Sequence, residues 1–153
     1  MKPRLFIVSP GPRNEHLYPY PTDKGVWVKK NSTAGATLFN LRRCEPLLFY
    51  GNVNKKRAFD LFEYSSGFSG ELKDAQKSAG VSLERPPAKS MNLWIELLSM
   101  IGTDIVVDVF GGNGTTLIAS EISNRKCYMM EIDPKYCDVI RQRYEAYINQ
   151  KQE

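Results

Sequence analysis

Apolar positions along this chain follow two patterns: short runs in the first third and the middle, and a helical repeat towards the end. Leu5-Phe6-Ile7-Val8, Val26-Trp27-Val28 and residues 44–50 are rich in β-branched and aromatic residues, with Pro and Gly around them, and read as strands. A Pro-rich loop, residues 10–21, separates the first two. Across residues 59–85 Ser, Gly and Lys break any period, so this stretch reads as a loop or small recognition segment. Ser90 is a candidate N-cap for a helix over residues 91–101, with Leu93, Trp94, Leu97, Leu98 and Ile101 on one face and Gly102 as its stop. Residues 105–110 are apolar without alternation, the pattern of a strand buried on both faces of a parallel sheet. Leu117-Ile118-Ala119-Ser120-Glu121-Ile122 then reads as a helix and Cys127-Tyr128-Met129-Met130 as a further strand. Asp133 caps and Pro134 opens a last helix, in which Tyr136, Ile140, Arg143, Tyr144 and Tyr147 recur at helical spacing. That tyrosine-rich stripe is read as helix-packing surface rather than a base-stacking platform. Strands alternating with helices predict an α/β chain with a mostly parallel sheet.

The chemistry concentrates where one strand meets the next helix, at Asp108-Val109-Phe110-Gly111-Gly112-Asn113-Gly114-Thr115-Thr116. Backbone free of side chains lets a ligand approach, and the N–H groups of a helix start face it. A phosphate-cradling P-loop needs a Lys after its last glycine, and Thr115 stands there instead. A dinucleotide fingerprint begun at Gly112 and Gly114 would place its third glycine at Leu117, which counts against a nicotinamide or flavin oxidoreductase. What remains is an acidic strand end, Asp108, a glycine turn, and a second acidic strand end, Glu131, 20 residues beyond Gly111. A doubly wound fold places a ribose-binding carboxylate at about that spacing. The arrangement suits a nucleoside without pyrophosphate, such as S-adenosylmethionine.

These residues resemble the D-P-F-x-G-S-G-T-T signature of the DNA N-methyltransferases, which methylate the exocyclic amine of adenine or cytosine; Val109 replaces Pro and Asn113 replaces Ser. The stretch from Asn124 to Tyr136 is similar to that family's G-R-x-x-x-G-x-E-x-x-P-x-Y segment. Arg85-Pro86-Pro87-Ala88-Lys89-Ser90 occupies the place of its H-P-T-x-K-P, with only Pro86 and Lys89 retained. Val26-Trp27-Val28-Lys29-Lys30 and residues 43–51 resemble its W-x-K and E-x-x-L-x-x-G strands. The blocks follow the order of the permuted class, in which the catalytic half precedes the cofactor half. The resemblance implies a partial Rossmann-like, S-adenosylmethionine-dependent methyltransferase fold. It also implies a cofactor site built from Asp108, Phe110, Gly111, Gly112, Gly114, Thr115, Glu131 and Lys89. Within it Glu131 would accept the ribose hydroxyls, Asp108 would orient the turn or meet the methionine ammonium, and Phe110 would pack on adenine or fill core. Thr115 and Thr116 are expected mainly to cap the helix.

The family's catalytic tetrapeptide, [DNS]-P-P-[YFW], does not occur in this sequence. No catalytic residue is therefore assigned. The expectation is the back half to two-thirds of an enzyme, either incomplete or a non-catalytic subunit that binds DNA or cofactor. A missing strand would leave edges that invite self-association or a complementing chain, or a sheet rearranged so that residues 5–8 pair with residues 105–110.

Composition adds partners and removes classes. With 153 residues, 42 % hydrophobic and 25 % charged, the chain fits one globular methyltransferase-like domain, subdivided as 1–57, 58–85 and 86–153. No apolar run approaches the roughly 20 residues of a membrane span, so a cytoplasmic protein of a DNA methylation or restriction–modification system is expected. Cys44, Cys127 and Cys137 form no C-x-x-C pair, and His16 is the sole histidine, which argues against a metal site or a disulfide scaffold. Residues 1–57 hold 11 Lys or Arg against 3 acidic residues, a net of +8, whereas residues 58–153 hold 10 against 14. A basic half is the footprint of a chain that lies on a polyanion, and the expected DNA contacts are Lys29, Lys30, Arg42, Arg43, Lys55, Lys56 and Arg57.

Overall fold

Tryptophan, leucine and phenylalanine in the early runs bury into a sheet. The computed structural model describes residues 5–11, 13–30, 44–52, 60–65 and 89–152. The chain divides into two compact units, Met1–Ser66 with Ser99–Gly102, and Gly67–Leu98 with Thr103–Glu153.

The first unit holds β1 (Leu5–Val8), a single 3-10 turn (Glu15–Leu17), β2 (Asp23–Val28), β3 (Cys44–Gly51) and β4 (Leu61–Glu63), in the sheet order β1-β3-β2-β4. β3 runs antiparallel to β1 and β2, and β4 runs parallel to β2. Trp27, Leu47, Leu48, Phe49 and Phe62 are buried, and the rings of Phe49 and Phe62 stack 6.4 Å apart. The Trp27 indole N–H donates to the Tyr64 carbonyl at 2.8 Å, which satisfies the one polar atom of this buried side chain. β1 spans only Leu48–Gly51 of β3, so Pro46, which has no N–H to give, lies where, among the described residues, β3 has β2 alone as its ladder partner.

The second unit contains α1 (Met91–Ser99, its last residue assigned to the first unit), β5 (Ile105–Asp108), α2 (Thr115–Ile122), β6 (Lys126–Met129) and α3 (Pro134–Gln152). β5 and β6 are parallel, paired from Ile105↔Lys126 to Asp108↔Met129. The helix between them makes this a βαβ unit, since parallel neighbours need a crossover. Val106, Ile118, Ala119, Tyr136 and Val139 are buried within it.

Several expectations change. The α/β class holds, but two of the four ladders among the described residues, β1 with β3 and β2 with β3, are antiparallel. The loop expected at 59–85 contains β4, three residues too short to show a period; residues 59 and 66–85 lie outside the described residues. Among the described residues β1 takes β3 and β5 takes β6 as its ladder partner. β5 is not buried on both faces either. Val106 is buried, while Val107 opposite Tyr128 is 66 % exposed. Among the described residues helices cover one side of this two-stranded sheet; Ile105, Val107 and Tyr128 are exposed on the other, with Val109 and Met130 exposed just past the strand ends.

Candidate functional site

β5 ends on Asp108, whose Oδ1 accepts the Phe110 N–H at 2.9 Å and turns the chain out of the sheet. Two backbone bonds tie the turn to the next strand end: Met130 N–H donates to the Asp108 carbonyl and Gly111 N–H to the Met130 carbonyl, each at 2.8 Å. Gly114 N–H then closes back on the Gly111 carbonyl at 2.8 Å. Gly112 and Gly114 have φ of +53° and +73°, values an L side chain adopts only with strain. Gly114 is the N-cap of α2 and provides no side-chain cap, so Thr115 and Thr116 are not the caps expected of them. Both threonines are buried, at the first positions of the helix.

The second strand end faces the same turn. Glu131 accepts the Gly112 N–H through Oε2 at 2.7 Å and the Asp133 N–H through Oε1 at 3.0 Å. Each carboxylate oxygen offers about two lone-pair sites, so a carboxylate held this way still has capacity for hydroxyl donors. Asp133 in turn accepts the Lys135 N–H at 3.0 Å, the side-chain cap expected for a helix opened by Pro134. Asp108, Gly111, Gly112, Gly114 and Glu131 are thus brought together at the ends of two parallel neighbours. Phe110 is 85 % exposed, which removes the core-filling reading and leaves its ring available to a ligand. Ile132, beside Glu131, is 98 % exposed. Its pattern in the sequence did not mark it, because a single apolar residue between two acids looks like any strand end. Arg143 was read only as part of a helical stripe, yet its Nη1 donates to the Asn113 carbonyl inside the turn. Lys89 sits half-buried at the entrance to α1.

On β6, burial raises the Cys127 thiol pKa, a hydrogen bond with Ser120 opposes it and the Asp108 charge adds to it. That half-buried environment disfavours the thiolate a nucleophile needs. Among the described residues no group of His, Cys, Asp and Glu could hold a metal, and no helix is long and apolar enough to cross a membrane.

Of the basic residues expected on nucleic acid, Lys29 forms an ion pair with Glu45 and lies 5.0 Å over the Trp27 ring, so its charge is already matched. Lys30 is exposed at the end of β2. Arg42, Arg43, Lys55, Lys56 and Arg57 lie outside the described residues.

A βαβ unit whose strand ends bring a glycine turn and two carboxylates together is the architecture of a Rossmann-like nucleoside-binding domain. The DNA methylase family profile matches residues 20–142, and the chain belongs to this family of N6/N4 DNA methyltransferases. Over 45 residues it is 44 % identical to the orphan methyltransferase M.BamHII of Bacillus amyloliquefaciens, a match that spans 29 % of this chain and 17 % of that relative. The fold is similar to the crystal structure of an M1.HpyAVI–SAM complex, with a TM-score of 0.67 at 18 % identity, covering 94 % of this chain and 76 % of that one. It is also similar to a second M1.HpyAVI structure, with a TM-score of 0.58 at 19 % identity, covering 81 % of this chain and 60 % of that one.

Proposed function

We propose that the protein binds S-adenosylmethionine at the turn of residues 111–114 and serves methyl transfer to the exocyclic amine of adenine or cytosine in DNA. The observation that carries this reading is the position of Glu131, fixed by the Gly112 and Asp133 amides at the end of the strand next to the glycine turn. The residues suit such a ligand: Glu131 retains acceptor capacity for ribose hydroxyls, Asp108 offers a carboxylate towards an ammonium, and Phe110 and Ile132 present apolar surface at the two strand ends. Bound there, the cofactor would supply a sulfonium methyl group for attack by an amine lone pair. The chain's own part is to hold that methyl group in one direction and to keep the ligand's polar groups matched. Lys30, with Arg42, Arg43, Lys55, Lys56 and Arg57, would meet the DNA backbone in the cytoplasm.

A second reading has specific support, the absence of [DNS]-P-P-[YFW] from this sequence. In that reading the chain is a non-catalytic subunit that binds cofactor and DNA. A second copy or another polypeptide then holds the target amine, and β5, whose one ladder among the described residues is to β6, offers an edge for an added strand. Incubation with labelled S-adenosylmethionine and mixed-sequence duplex separates the two. Methyl incorporation above background supports the enzyme, cofactor binding without incorporation supports the subunit, and the absence of both rejects each.

A further inference from the structure

We infer that Arg143, with Ile140 one helical turn before it, is the positioning residue that sets the cofactor turn in its binding shape. The inference rests on the cofactor reading of that turn.

A segment with two left-handed glycines has little intrinsic preference for one shape, because glycine visits both signs of φ readily. Something outside the turn has to choose. Glu131 holds one end through the Gly112 N–H. The other end is held from α3, where positions 140 and 143 share a face. Ile140 fills the space a side chain on Gly114 would occupy, where an added Cβ would stand 3.1 Å from its Cγ1, and it shares with Met129 the space beside Gly111, where an added Cβ would stand 3.1 Å from Ile140 Cδ1 and 2.8 Å from Met129 Cγ. Arg143 is 8 % exposed, and its Nη1 donates to the carbonyl of Asn113. Burying a guanidinium is unfavourable unless it is well paired, so an arginine spent on a backbone carbonyl at this point implies a local task.

That task follows from peptide geometry. The Asn113 carbonyl and the Gly114 N–H belong to one planar unit and point in opposite directions. Holding the carbonyl towards α3 therefore turns the Gly114 N–H inward, where it meets the Gly111 carbonyl at 2.8 Å and closes the turn. Without the guanidinium this peptide loses one of its holds, and a flip would change the face of the backbone that a ligand would approach.

Amide hydrogen exchange and binding of S-adenosylhomocysteine by calorimetry, both on the whole chain, test the inference. Arg143→Met should speed exchange of the Gly114 amide by at least an order of magnitude and weaken binding roughly 10- to 100-fold, as expected for loss of a charged hydrogen bond. Amides inside β6 and α2 should keep their rates. Arg143→Lys should restore part of both effects, since an ammonium can still donate to the Asn113 carbonyl. Ile140→Val, a milder change, should loosen the same amide if Arg143→Met does not fold. Exchange that rises evenly across the second unit, or unchanged binding by Arg143→Met, would show an ordinary stabilising arginine and overturn the inference. Failure of the wild type to bind, with the Gly114 effect intact, would instead reject the cofactor reading and leave Arg143 as the residue that shapes the turn.

Discussion

Gly114 shows how one residue type fixes the site. Its φ of +73° costs an L residue about 1–2 kcal/mol, and Ile140 would stand 3.1 Å from an added Cβ. Gly114→Ala should therefore lower stability in chemical denaturation by roughly 1–3 kcal/mol, the left-handed cost plus modest overpacking. A variant as stable as the wild type would mean that the turn has another conformation. The cysteines give a second check at this scale. Cys44 is exposed, whereas burial raises the Cys127 pKa and so reduces its thiolate at any given pH. Iodoacetamide at neutral pH should modify Cys44 first and reach Cys127 slowly; mass spectrometry showing Cys127 modified first would contradict the partial burial of Cys127.

At the scale of elements, β5 and β6 carry one covered and one bare face. Val107 and Tyr128 face each other across the ladder with 66 % and 61 % of their surfaces exposed, flanked by Ile105, Val109 and Met130. Contiguous exposed apolar surface marks an interaction site or an association hazard. A hydrophobic dye should bind the protein, and the double substitution Val107→Thr with Tyr128→Thr should reduce its fluorescence while the thermal midpoint stays near that of the parent. Undiminished fluorescence would place the dye elsewhere. The sequence made the strands themselves legible, because runs such as Leu5-Phe6-Ile7-Val8 need no partner to be recognised as extended. It hid this bare face, since three consecutive apolar residues at 105–107 look alike whether one side is covered or two. β4 escaped for a different reason: Leu61, Phe62 and Glu63 are too few to show a period, and only the burial of Phe62 against the sheet identifies them. Gly114 in place of a threonine as helix cap was hidden by the usual preference for hydroxyl side chains there.

For the whole molecule, charge and site lie in different parts of the sequence, a net of +8 over residues 1–57 and a glycine turn at residues 111–114. Duplex binding carried by the basic part should weaken steeply with salt. Neutralising Lys55, Lys56 and Arg57 together should flatten the slope of log affinity against log salt by about 0.9 for each phosphate that is no longer neutralised. Salt-independent binding would remove this role from them. The strand-end carboxylates and glycines of the site were legible because their chemistry follows from spacing along one βαβ unit. Ile132 and Arg143 were not, because exposure and a hydrogen bond to a backbone carbonyl leave no trace in residue type. We propose Glu131 and the glycine turn as a nucleoside site, and everything proposed about cofactor and methyl transfer depends on that. Calorimetry with S-adenosylhomocysteine and with NADH tests it most directly, using the wild type and Glu131→Ala. The wild type should bind S-adenosylhomocysteine, Glu131→Ala should lose about 1–3 kcal/mol of that binding, and neither should have more than slight affinity for NADH. Equal affinities for S-adenosylhomocysteine in the two proteins, or tight NADH binding, would contradict it.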